Sequence, residues 1–143
     1  MVDKDLINRK IVFLSQSKKE LKNYKIKSLS EFKKNHKDQK AVQKTLQEMI
    51  ETCMDIGKHI IVDEGFAFPE DGRSIFTILY DNDVISKDLC LMMQNMVGFR
   101  NIIIHLYEKV DLEIVYGIYN KRLNDFDDFI VEISNYLDPN AHR

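Results

Sequence analysis

Between Asp38 and Asp63 the chain has no proline and a single glycine. Its apolar residues there recur in steps of four and three: Val42, Leu46, Met49, Cys53, Ile56 and Ile60. A strand cannot use this spacing, because its two faces alternate at every residue. A seam this long predicts one helix packed along its length against others, the pattern of a helix bundle. Gly65 is placed to end it, with Pro69 shortly beyond. The full chain of 143 residues holds only 5 Gly and 2 Pro. So few breakers disfavour a sandwich or barrel and favour long helices.

The rest of the sequence fits the same plan. A first helix from about residue 4 to 24 carries the stripe Ile7, Ile11, Leu14 and Leu21, widened by Leu6 and Phe13. Ser28 or Ser30 is placed to cap a short turn of helix through Phe32. After the loop 65–72, Asp71 can cap a short helix containing Ile75, Ile78 and Leu79. A fourth helix is expected from Ser86 to about Tyr107, with Asp88 complementing the dipole in its first turn. Its apolar residues, from Leu89 through Met96 to Leu106, leave almost no solvent face, so it must be covered all round, in part by another subunit. Asp111 opens a last helix with the stripe Leu112, Val115, Tyr119, Leu123, Phe126, Ile130, Ile133 and Leu137. The expected architecture is one all-α domain over residues 1–143: an up-and-down bundle of four long helices and one short one.

Composition narrows the function. Hydrophobic residues make up 44% and charged residues 31%, a soluble globular balance. No signal peptide and no membrane-spanning run is evident, so a cytoplasmic protein is expected. Cys53 and Cys90 stand alone among apolar neighbours and read as reduced packing residues. No metal site is expected. His59 and Asp63 are four apart but only two, and Asp125, Asp127 and Asp128 point apart on a helix. His36 and His142 lie in polar surroundings without a pattern. The net charge of −2 hides an asymmetry: residues 1–44 hold 13 Lys/Arg against 5 Asp/Glu. Lys18, Lys22, Lys25, Lys33, Lys34 and Lys37 lie in that part. It reads either as a solvated helical hairpin or as an electrostatic patch for a polyanion.

Polar residues interrupt the most apolar segment, Gly98-Phe99-Arg100-Asn101-Ile102-Ile103-Ile104-His105-Leu106-Tyr107. Asn101 and His105, four apart, share a helix face with Gly98, where the missing side chain lets a backbone or ligand approach. Arg100 and His105 are five apart, about 140° around the axis. They could meet across a two-fold axis between copies. The residue types suit phosphodiester cleavage without a metal. His105 could move a proton to or from an oxygen, Arg100 could hold the non-bridging oxygens, and Asn101 could orient either. Taken alone, His105 also fits a satisfied interface histidine.

The same segment resembles the R-x4-6-H signature of the HEPN superfamily. More narrowly it resembles the R-x4-H-x-Y form of HepT-like toxins, with Arg100, His105 and Tyr107 in the three slots. The passages Ala41–Ile61 and Val110–Tyr116 are similar to the same family. The resemblance implies a metal-independent endoribonuclease without cofactor, acting on RNA as a homodimer whose two motif copies meet in a cleft. It also implies a cognate minimal nucleotidyltransferase as antitoxin, which adds AMP to the tyrosine in the slot of Tyr107. An alternative is a non-catalytic helical module that binds a nucleotide or docks such a transferase.

Overall fold

The computed structural model describes residues 1–140; His142 lies outside them. Every regular element among the described residues is helical. Helices α1 (Lys4–Asn23), α2 (Leu29–Lys34), α3 (His36–Glu64), α4 (Gly72–Asp81) and α5 (Lys87–His105) are followed by a 3-10 turn at Tyr107–Lys109. The chain then forms α6 (Leu112–Gly117), a π turn (Ile118–Arg122) and α7 (Asn124–Leu137). No helix of the structure is long and apolar enough to cross a membrane.

The long seam becomes α3, the axis of the bundle, which packs against α1, α2, α4, α5 and α6. Leu46, Met49, Cys53, Ile56 and Ile60 are fully buried along it. Each such side chain contributes roughly 1.5–3 kcal/mol on burial. Asn35 caps α3 through the N–H of Asp38, and Gly65 closes it in the left-handed conformation at φ 71°. Of the two candidate serines, Ser28 caps α2 through the N–H of Glu31. Asp71 and Ser74 form a reciprocal capping box on α4.

Two expectations change. The last helix is not one regular α-helix, because the π turn interrupts it. Val115, Tyr119 and Leu123 are spaced by two successive steps of four, which over-rotate an α-helical stripe by about 40° each. A wider turn absorbs that drift. It keeps Tyr119 buried and lets its hydroxyl accept the N–H of Ile26 at 3.2 Å. The second change is the end of α5. The helix stops at His105, and Leu106 leaves helical geometry at φ −135°, ψ 41°. Tyr107 therefore lies beyond the helix and begins the 3-10 turn.

Carboxylates from two other helices fix α5 near its ends. At the start, Glu132 of α7 accepts from the Ser86 N–H at 2.5 Å and the Ser86 hydroxyl at 2.9 Å. Near the finish, Glu51 of α3 accepts from Arg100 at 2.7 Å. Between them Leu89, Met93, Met96, Val97 and Phe99 enter the core. The helix is not covered all round within the chain. Leu91 (52% exposed), Asn95, Asn101, Ile102 and His105 face outward. Within the chain, α3, α4 and α7 cover α5 on its other side.

Gly57 of α3 is a close-approach position. A Cβ there would stand 2.5 Å from Ile75 Cγ2 and 3.2 Å from Leu79 Cδ1 of α4. Gly57→Ala is expected to destabilise the chain by about 1–3 kcal/mol through overpacking, despite the better helix propensity of alanine. Chemical denaturation checks this; a gain in stability would show that α4 can shift freely.

Candidate active site

Arg100, Asn101 and His105 occupy the last two turns of α5. The guanidinium of Arg100 is half-buried and committed on one side. Its Nε and Nη2 donate to Glu51 Oε2 at 3.1 and 2.7 Å, and its Nη1 donates to Asn101 Oδ1 at 3.1 Å. Five N–H donors less these three leave two, one on each terminal nitrogen. Asn101 thus links the half-buried guanidinium to the open face of α5. His105 is exposed on that open face, in the final residue of the helix.

The expected spacing holds on this helix. Seven residues separate Gly98 from His105, which sets them within about 20° of one another around the axis. Arg100 lies about 140° from His105. One copy of the chain therefore presents its imidazole and its guanidinium in different directions. Glu51 was missed by sequence reasoning. Its only signal is a carboxylate between Ile50 and Cys53 in the apolar seam, and nothing local points it at Arg100.

Tyr107 is 71% exposed beyond the helix end. Tyr136 offers a contrast. It donates to Glu64 at 2.7 Å, and burial together with that carboxylate pushes its hydroxyl up to about 12. The cysteines are free and buried, and burial pushes both thiols up, which fits unreactive packing groups. Asp63 accepts the Asp3 N–H at 3.2 Å. Among the described residues no group of three or more potential metal ligands gathers.

The lysines divide. Lys18 is bound to Asp127 and to Asn124 Oδ1, so its charge is locally matched. Lys33 stands 3.5 Å from Glu113 on an exposed surface. Lys22, Lys25, Lys34 and Lys37 have no carboxylate within ion-pair distance among the described residues.

Comparisons with known proteins place the whole chain. A family model described as "Ribonuclease HepT-like" matches residues 14–133. The chain is 37% identical over 92 residues to the mRNA nuclease HepT of Shewanella oneidensis, covering 64% of this chain and 69% of that protein. The solved tri-AMPylated Shewanella oneidensis HEPN toxin in complex with MNT antitoxin superposes with a TM-score of 0.85 at 33% identity, covering 94% of this chain and 98% of that one. A toxin–antitoxin structure with AMP-PNP gives a TM-score of 0.84 at 32% identity, over 93% of this chain and 99% of that one.

Glu51→Gln is expected to lower the unfolding free energy by about 1–2 kcal/mol, because a half-buried guanidinium loses its anionic partner. The loss should shrink in high salt, which already screens the pair. Denaturation curves at two ionic strengths check this; equal stability of the two proteins in low salt would contradict it.

Proposed function

The chain belongs to the HepT-like ribonuclease family, and on that premise we propose that it is a metal-independent endoribonuclease toxin. Its counterpart is a minimal nucleotidyltransferase antitoxin, and its site is shared by two copies of the chain. The observation that carries this reading is the end of α5. An exposed imidazole and a guanidinium with two unused donors stand on the last two turns of one largely apolar helix, facing different ways.

Cleavage by such a pair needs no cofactor. One His105 takes the proton of a ribose 2′-hydroxyl, and that oxygen attacks the adjacent phosphorus. The bond from phosphorus to the 5′-oxygen breaks, and a second, protonated His105 gives that oxygen its proton. The products are a cyclic phosphate and a free 5′-hydroxyl. Arg100 stabilises the charge building on the non-bridging oxygens. Glu51 and Asn101 hold its planar fork before substrate arrives, so less entropy is lost on binding.

One chain has one His105, but the mechanism uses two. A homodimer supplies the second. It would also cover Leu91, Ile102, Leu106 and Ile114, which are exposed in the single chain. The unpaired Lys22, Lys25, Lys34 and Lys37 give RNA a cationic approach, so binding weakens with rising salt.

Tyr107 lies two residues past His105 with its side chain open to solvent. An AMP on its hydroxyl adds bulk and negative charge beside the cleft, which repels RNA. This supports control of the nuclease by the antitoxin through that tyrosine. The second reading, a non-catalytic module for nucleotide or transferase, draws on the engagement of Arg100 by Glu51.

His105→Ala is expected to lower RNA cleavage by at least about a hundredfold while the circular dichroism spectrum stays unchanged. Intact cleavage by this variant, or none by the wild type, would favour the second reading. Tyr107→Phe is expected to cleave as the wild type does and to take no AMP from the antitoxin. Mass spectrometry after incubation with transferase and ATP checks this, and an adduct on the variant would contradict it.

A further inference from the structure

The guanidinium of Arg73, on α4, lies directly over Gly98 of α5. A Cβ built on that glycine would stand 2.6 Å from Arg73 Nη2, so the contact exists only because the position has no side chain. The base of Arg73 is fastened there. The Gln94 amide of α5 donates to the Arg73 carbonyl at 3.2 Å and to Thr77 Oγ1 at 2.8 Å. The charge has no ion-pair partner, although the Asp71 carboxylate feels it. Arg73 is exposed and has no carboxylate within ion-pair distance among the described residues. Its near neighbour Asp71 is occupied capping α4 through the Ser74 N–H at 2.8 Å.

The position of this cation gives it meaning. Gly98, Asn101 and His105 form one stripe of α5, and Arg73 lies across its upstream end. Arg100 is on the other side, spoken for by Glu51. From Gly98 to His105 is about 10.5 Å along the axis at 1.5 Å per residue. That rise sets the Arg73 contact two helical turns upstream of His105. It suits a neighbouring phosphate of the same strand, which a planar guanidinium can grip with two donors.

We propose that Arg73 is a substrate-binding residue that holds a phosphodiester flanking the one being cut, with Gly98 as the notch that seats it. This rests on the nuclease reading above. It assigns to α4 the task of fixing the strand's position along the cleft, separate from the chemistry at His105.

The test uses short RNA strands cleaved at one site, with the flanking linkages either ordinary phosphates or neutral methylphosphonates. Arg73→Gln should raise KM roughly tenfold on the charged strand with little change in kcat, and should change nothing on the neutral-flanked one. Arg73→Lys should recover part of the loss. Gly98→Ala should melt at a higher temperature than the wild type, since alanine favours the helix and only a flexible side-chain tip must move. It should still show the raised KM. An equal loss on both strands would overturn the proposal, as would a loss that tracks a smaller solution mass and so a weakened dimer. A wild type that cuts no RNA would instead overturn the nuclease reading. Arg73 is then judged by binding of a labelled RNA to the His105→Ala chain. There Arg73→Gln should flatten the salt dependence by about 0.7 in log–log slope, and an unchanged slope would reject it.

Discussion

The architecture depends on how α5 is held. Its inner side is apolar and packs into the core, but apolar contacts alone do not fix rotation about an axis. The carboxylates of Glu132 and Glu51 do so near the two ends, through Ser86 and Arg100. With rotation set, one stripe of the helix is turned outward: Leu91, Asn101, Ile102 and His105. Glu51 thus orients Arg100, and indirectly it sets what α5 shows to solvent. An ion pair of this kind adds little net stability, but it penalises every rotation that would leave its charges unpaired.

Much of this was legible in the sequence. The steps of four and three from Val42 to Ile60 specify α3 because a helix is the one regular structure that gathers them on one side. Gly65 and Asp71 mark their boundaries because capping chemistry is local. The π turn was less legible. Its signal, two successive steps of four around Tyr119, reads as an ordinary stripe until the hydroxyl's long-range bond to Ile26 is known. The end of α5 at His105 was invisible for a related reason. Leu106 and Tyr107 have ordinary helix propensities, and no glycine or proline announces the break.

At the site, the motif residues could be named in advance, but their partners could not. Glu51 is 49 positions from Arg100, and Arg73 meets Gly98 only through the packing of α4 on α5. Sequence spacing left room for a ligand at Gly98; the fold fills that room with a guanidinium from its own chain. Lys18 teaches the reverse. It belongs to the basic third of the chain, yet Asp127 claims its charge. Counting cations overstates a polyanion surface when the acids that neutralise them come from distant helices.

The proposed sharing of the site between two copies would account for the divergence of imidazole and guanidinium within one copy, and for the apolar face that stands open beside them. The most direct measurement is the cleavage rate of a purified mixed dimer, one wild-type chain joined with one His105→Ala chain carrying a different tag. If two imidazoles serve one cut, as acid and base, the mixed dimer should lose well over nine-tenths of the wild-type rate. A mixed dimer that keeps half the rate would mean each chain cuts alone, and the account of a site built between two copies would be wrong.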